Sequence, residues 1–404
     1  MVDYTNENDS SAASKHKSRK GQEGFSLSHS FKSVKSDHRV TTSLDWSPKH
    51  SELMLASYNK NPAAVNDPDG LVLAHMPSRP EFHFYAQSDV LTAKFSEFHN
   101  NYIVGGTYSG QILLWDTRAS HNPVLKSPLS GQGHAHPVFS LQVVGSANAN
   151  QLISASTDGL VCSWQLDRLA QPLEYLELAH LSHSKTDEVS VTCFAFPPDE
   201  TASFFLGTEE GGIYPANRYD RSGGKAGIDH QNTFSVPVSE VADMNSETVN
   251  QFDIGGLNNG HEAMVTGLSI HPSHPSYLLT SSLDWTVRLW DTKSRQLLKM
   301  FDECSDYVMD VSWSPTHASM FACIDASGNV LLYNLDEDPE VPIATVNVAG
   351  DDVSARAGGG LNGGNKLSWD RYGRHIAVAS DSVVSVYSIG DVASSDTIFS
   401  PGSL

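Results

Sequence analysis

His134, Ser154 and Asp158 bring an imidazole, a hydroxyl and a carboxylate close together in the chain, and His261, Thr280 and Asp284 repeat the set further on. A hydroxyl activated by an imidazole that a carboxylate orients is the nucleophile of acyl-transfer hydrolases. A nucleophile also needs a cleft and an oxyanion hole, and nothing in the sequence around Ser154 suggests either. The other chemical readings are weaker. GGLNNG (255–260) follows no buried strand and opens no helix, and GGGLNGG (358–364) lacks the Lys-Ser/Thr ending of a phosphate loop. Histidine pairs such as His134/His136 and His271/His274 lack a third ligand. Cys162, Cys193, Cys304 and Cys323 lie far apart in or beside apolar strands and read as small buried hydrophobes in a reducing compartment. No catalytic residue, cofactor or metal is expected.

The elements around these residues repeat. Residues 281–291 read SSLDWTVRLWD, 154–165 read SASTDGLVCSWQ and 106–116 read GTYSGQILLWD. Each is a strand, a tight turn and a second strand ending at an aromatic. Aligning the repeats fills that aromatic slot with His75, Trp115, Trp164, Ala216, Trp290, Tyr333 and Tyr387. Upstream of each slot, runs such as MLASY, LISAS and LLTSS have no polar alternation, as strands covered on both faces require. Further upstream, SLDWSP and VSWSP alternate at period two and stop at proline.

Seven small sheets with two apolar faces can bury both only against one another, by stacking around an axis. The expectation is an all-β, seven-bladed propeller with a four-stranded antiparallel sheet per blade, spanning 25–391, between disordered segments at 1–24 and 392–404. Phe25–Phe31 alternates at period two. Either it is the outer strand of the last blade, locking the ring, or it is part of a disordered leader. Residues 218–259 and 349–364 read as surface loops.

The net charge of the 404-residue chain is −21. Residues 1–40 contain seven Lys/Arg against five Asp/Glu, so the rest is strongly acidic. Phosphates would be repelled, which argues against nucleic-acid and anionic-membrane partners. The basic cluster Lys15–Lys20 reads as part of a solvated leader. No run approaches the length of a membrane span, and the N-terminus has no secretion signal, so a cytoplasmic address is expected.

The repeat chemistry resembles that of WD-repeat propellers. The ordered phrases VTTSLDWSPKHSELMLASYNKN (40–61), VGGTYSGQILLWDTR (104–118), LISASTDGLVCSWQLD (152–167), LLTSSLDWTVRLWD (278–291) and DYVMDVSWSPTHASMFAC (306–323) resemble the C-terminal propeller of cytoplasmic dynein intermediate chains. The resemblance runs over roughly 38–391. It implies that His134, Ser154, Asp158 and Trp164 in blade three, and His261, Thr280, Asp284 and Trp290 in blade five, are structural braces. Ser109 and Ser327 stand in for the aspartate in blades two and six, and Ala216 for the tryptophan in blade four.

The resemblance also implies a scaffold that binds a helical bundle in the tail of the dynein heavy chain, supports cargo attachment and works on microtubules. The family's light-chain and dynactin contacts belong to a long N-terminal half. They are expected here only if such a region precedes this sequence. An axonemal dynein chain or a chromatin adaptor is the alternative. For the partner surface, Trp285 stands in the middle turn of blade five, where Gly, Lys or Asn is usual, and either packs on a neighbouring blade or anchors a partner. Tyr307, entering blade six, should open on the same face, with Tyr58 and Tyr108 as further candidates.

Overall fold

The computed structural model describes residues 24–390 apart from 65, 77–78, 130, 132, 181–188, 220–224, 229–233, 236–259 and 349–362. Its described residues form no helix and twenty-eight strands in seven sheets. The first strand, β1, is Phe25–Phe31. Blade one is β2 (Thr41–Trp46), β3 (Met54–Tyr58), β4 (Gly70–Met76) and β5 (Arg79–Ala86). Blade two is β6 (Val90–Phe95), β7 (Tyr102–Thr107), β8 (Ile112–Asp116) and β9 (Leu125–Lys126). Blade three is β10 (Val138–Ser146), β11 (Ala149–Ser156), β12 (Leu160–Trp164) and β13 (Glu174–His180). Blade four is β14 (Val191–Ala195), β15 (Ser203–Thr208) and β16 (Ile213–Asn217), followed in the chain by β17 (Lys225–Ile228). Blade five is β18 (Val265–Ile270), β19 (Tyr277–Ser282), β20 (Val287–Asp291) and β21 (Leu297–Phe301). Blade six is β22 (Val308–Trp313), β23 (Met320–Asp325), β24 (Asn329–Asn334) and β25 (Ala344–Asn347). Blade seven is β26 (Gly364–Trp369), β27 (His375–Ser380) and β28 (Val383–Ile389), with β1 outermost.

The ring is closed. Each inner strand lies beside the inner strand of the next blade, and β26 returns to β2. Inner strands are not paired by a backbone ladder, so side chains supply the links. Phe95 donates its N–H to Asp45 Oδ2 at 2.7 Å, Trp313 to Ser269 Oγ at 3.2 Å, and Leu367 to Asp310 Oδ2 at 3.2 Å. At the joint, Trp46 Nε1 donates to Ser368 O at 3.1 Å and Asn365 Nδ2 to Thr41 O at 3.2 Å. Antiparallel pairing of β1 with β28 seats Phe31 opposite Val384 and gives blade seven its fourth strand. Of the two readings of Phe25–Phe31, the outer strand is the one found.

Five sheets have four strands, the third has five and the fourth three, among the described residues. The fifth strand of blade three is β17, which runs parallel to β13 on its outside. On its outer side β16 meets the segment at Phe234, whose N–H donates to Ile213 O at 3.4 Å. The surface-loop expectation for 218–259 is therefore corrected in its described part. Besides β17, Phe234 is fully buried, 5.8 Å in ring separation from both Trp290 and Phe205. It seals the seam between blades four and five beside Ile213 and Val265. The leader 1–23, the tail 391–404 and most of 349–364 lie outside the described residues.

Candidate interaction face and the braces beneath it

Blade five carries a continuous polar chain. Trp290 Nε1 donates to Thr280 Oγ1 at 2.9 Å, and Thr280 Oγ1 is 2.7 Å from His261 Nε2. His261 Nδ1 is 2.8 Å from Asp284 Oδ2. The partners assign the proton: Nδ1–H donates to the carboxylate, leaving Nε2 to accept from the threonine hydroxyl. Burial favours the neutral form of His261 and outweighs the pull of Asp284. Burial also opposes ionisation of Asp284, but His261, Thr286 and Arg288 prevail and hold it well below the usual carboxylate range. Its Oδ1 further accepts from Thr286 N–H at 3.0 Å, which ties the turn to the brace.

Blade three repeats this more loosely. Trp164 Nε1 donates to Ser154 Oγ at 2.8 Å, and His134 Nε2 is 2.6 Å from that oxygen. His134 Nδ1 stands 3.6 Å from Asp158 Oδ1. Burial pushes Asp158 up, yet His134 and the N–H groups of Leu160 and Ala135 bring it to about 2. Ser154 is fully buried with its oxygen held between indole and imidazole, so the triad lacks access for a substrate.

The other blades solve the same problem with other residues. In blade two, Gly105 occupies the hydroxyl position, and a Cβ there would come within 2.6 Å of Trp115. The indole lies on the glycine and donates to Tyr85 O at 3.2 Å instead. In blade six, Cys304 and Cys323 replace histidine and hydroxyl, with sulfurs 3.9 Å apart under Tyr333. Its aspartate stands two residues earlier. Asp325 is fully buried and accepts from Ser305 Oγ, Ser327 Oγ and the Asn329 N–H between 2.7 and 2.9 Å. Sequence reasoning looked for it at Ser327 and missed it, although the short Asp-Ala-Ser-Gly-Asn turn was the signal. Among the described residues no three His, Cys, Asp or Glu side chains converge as metal ligands.

The turns between second and third strands, and the loops from outer to inner strand, open on one face of the ring. The register shows what is unusual there. The third residue of the turn is Gly110, Gly159, Gly211 and Gly328 in blades two, three, four and six, with φ of 85, 76, 89 and 85°. In blade five it is Trp285, at φ 70°. A bulky side chain in the left-handed region strains the backbone. Trp285 nonetheless leaves 47 % of its surface in solvent, and its ring meets Tyr307, 48 % exposed, edge to face at 6.1 Å. The two expected neighbours are thus together on one face. Beside Trp285, Leu283 N–H donates to Met264 O at 3.1 Å and ties the turn to the preceding loop.

Tyr108 is exposed on the corresponding turn of blade two, away from this pair. Tyr58 is a correction. Offered as a partner contact, it ends β3 fully buried, with its hydroxyl 3.4 Å from His75 Nε2. It belongs to the core between blades seven and one.

The centre of the ring holds a polar cavity of about 490 Å³ that includes Asp45, Lys94, Asp310 and Lys366. Its charges are compensated internally, as by Lys366 Nζ at 3.7 Å from Asp310 Oδ1. Burial pushes Asp45 up to about 6.

Two comparisons bear on this arrangement. Residues 174–347 match the family model described as PAC11 dynein intermediate chain. The cytoplasmic dynein 1 intermediate chain of Drosophila melanogaster is 38 % identical over 356 residues, which cover 86 % of this chain and 47 % of that protein. The chain spans about half the length of this curated relative.

Proposed function

The propeller belongs to the dynein intermediate chain family, and we propose from that premise that it is a non-catalytic scaffold subunit of the cytoplasmic dynein motor. It binds a helical bundle in the heavy-chain tail, one propeller per heavy chain, and supports cargo attachment and microtubule-based transport in the cytoplasm. The observation that carries this reading is the Trp285–Tyr307 pair: two half-exposed aromatics in edge-to-face contact, one of them at a turn position that is glycine in four other blades. Aromatic anchors of this kind concentrate binding energy at protein interfaces. The buried triads support a role without catalysis, since Ser154 is sealed from solvent.

The test is co-purification of the full chain with a cytoplasmic dynein heavy-chain tail. The expected result is capture by the wild type and at least tenfold weaker capture by the Trp285→Ala/Tyr307→Ala double variant, with the fold intact by circular dichroism. Unchanged capture would reject the two anchors. Recovery of histones or of a ciliary complex in place of a cytoplasmic heavy chain would transfer the propeller to another assembly.

A further inference from the structure

The loops around Trp285 carry charge of one sign. On the loops of the Trp285 face in blades two to six, the described residues include no Lys or Arg. Glu209, Glu262, Asp302 and Glu303 are exposed there, and Asp306 is partly so. They adjoin the aromatic pair. Glu262 N–H donates to Asp284, the residue before Trp285, and Asp306 Oδ1 accepts from the Tyr307 N–H at 2.8 Å. The turn bearing Glu209 abuts the same loop, where Gly211 O accepts from His261 N–H at 2.9 Å. The loops of the opposite face mix exposed cations such as Lys49, Arg118, Lys293 and Arg371 with exposed acids such as Glu52, Glu200 and Glu337.

We infer that the segment docking on Trp285 and Tyr307 is a cationic amphipathic helix, presenting an apolar side chain to the aromatic pair and Lys or Arg to the surrounding carboxylates. The inference rests on the reading of this face as the docking face and adds the chemistry of its partner. An aromatic core inside a ring of one charge sign selects for complementary charge and disfavours acidic segments. An apolar stripe flanked by basic residues at helical spacing meets both demands at once.

Two fluorescent helical peptides of equal length and identical leucine stripe, one with lysine and one with glutamate on its polar face, test this on the full chain by anisotropy. The lysine peptide should bind at least tenfold more tightly than the glutamate peptide. Its binding should fall at least tenfold in Trp285→Ala/Tyr307→Ala and in Glu262→Lys/Glu303→Lys, and stay unchanged in the opposite-face variant Lys293→Glu/Arg371→Glu. Equal binding of both peptides, or equal loss from the opposite-face variant, would overturn the inference. So would loss in the aromatic variant with none in the charge-reversed one, which would leave the docking face standing without its charge selectivity. Failure to capture a heavy-chain tail in the separate co-purification would count against the motor assignment alone.

Discussion

At the scale of single residues, Trp285 separates a packing role from a binding role. A left-handed conformation costs an L-residue about 1–2 kcal/mol, and glycine escapes that cost. Trp285→Gly should therefore leave urea stability unchanged or raise it by about 1 kcal/mol, while weakening heavy-chain capture; a loss near 3 kcal/mol would mark the indole as core. Thr280 is the opposite case. Thr280→Ala strands both Trp290 Nε1 and His261 Nε2, and should cost about 2–3 kcal/mol in the same assay. His75 makes a pH prediction. Burial pushes it down to about 4 from 6.5. Between those values the unfolded chain binds the proton and the folded one does not, so stability is full above 6.5 and drains as pH falls. Asp45, raised to about 6 from 3.8, works the other way over its own window. His75→Phe should thus lose less stability than the wild type between pH 7 and pH 5; an equal loss would contradict the assignment.

At the scale of elements, the strands and their order were legible because apolar runs and proline stops leave few alternatives. What escaped was chemistry set by distant partners. Tyr58 was a candidate for the partner surface, but at the last position of β3 its side chain turns into the core, with its hydroxyl toward His75. Asp325 escaped because the aspartate was expected after the strand and sits at its end. Phe234 escaped because its polar, glycine-containing surroundings read as loop. Buried between Trp290 and Phe205, it should cost about 3 kcal/mol on Phe234→Ala; a neutral effect would return it to the surface. Phe31, packed on the core shared by blades seven and one, predicts a similar loss on Phe31→Ala. That result would separate a locking strand from an attached one.

At the scale of the whole molecule, closure gives each face two loop positions per blade, in which blades can diverge without disturbing the ring. The braces lie below that face and hold the turns: Asp284 is at once the end of the His261 chain and the support of the Trp285 turn. The ring and its braces were readable from repeated residue types. The acidic surround of Trp285 was not, because Glu209, Glu262 and Glu303 lie far apart in the chain and meet only when the loops are sorted by end of strand. The most direct measurement is hydrogen–deuterium exchange of the full chain with and without the heavy-chain tail. Slower exchange confined to loops 260–264, 283–286 and 302–307 is the expected result. Protection of loops 47–53, 291–296 and 370–374, or of neither set, would contradict the account.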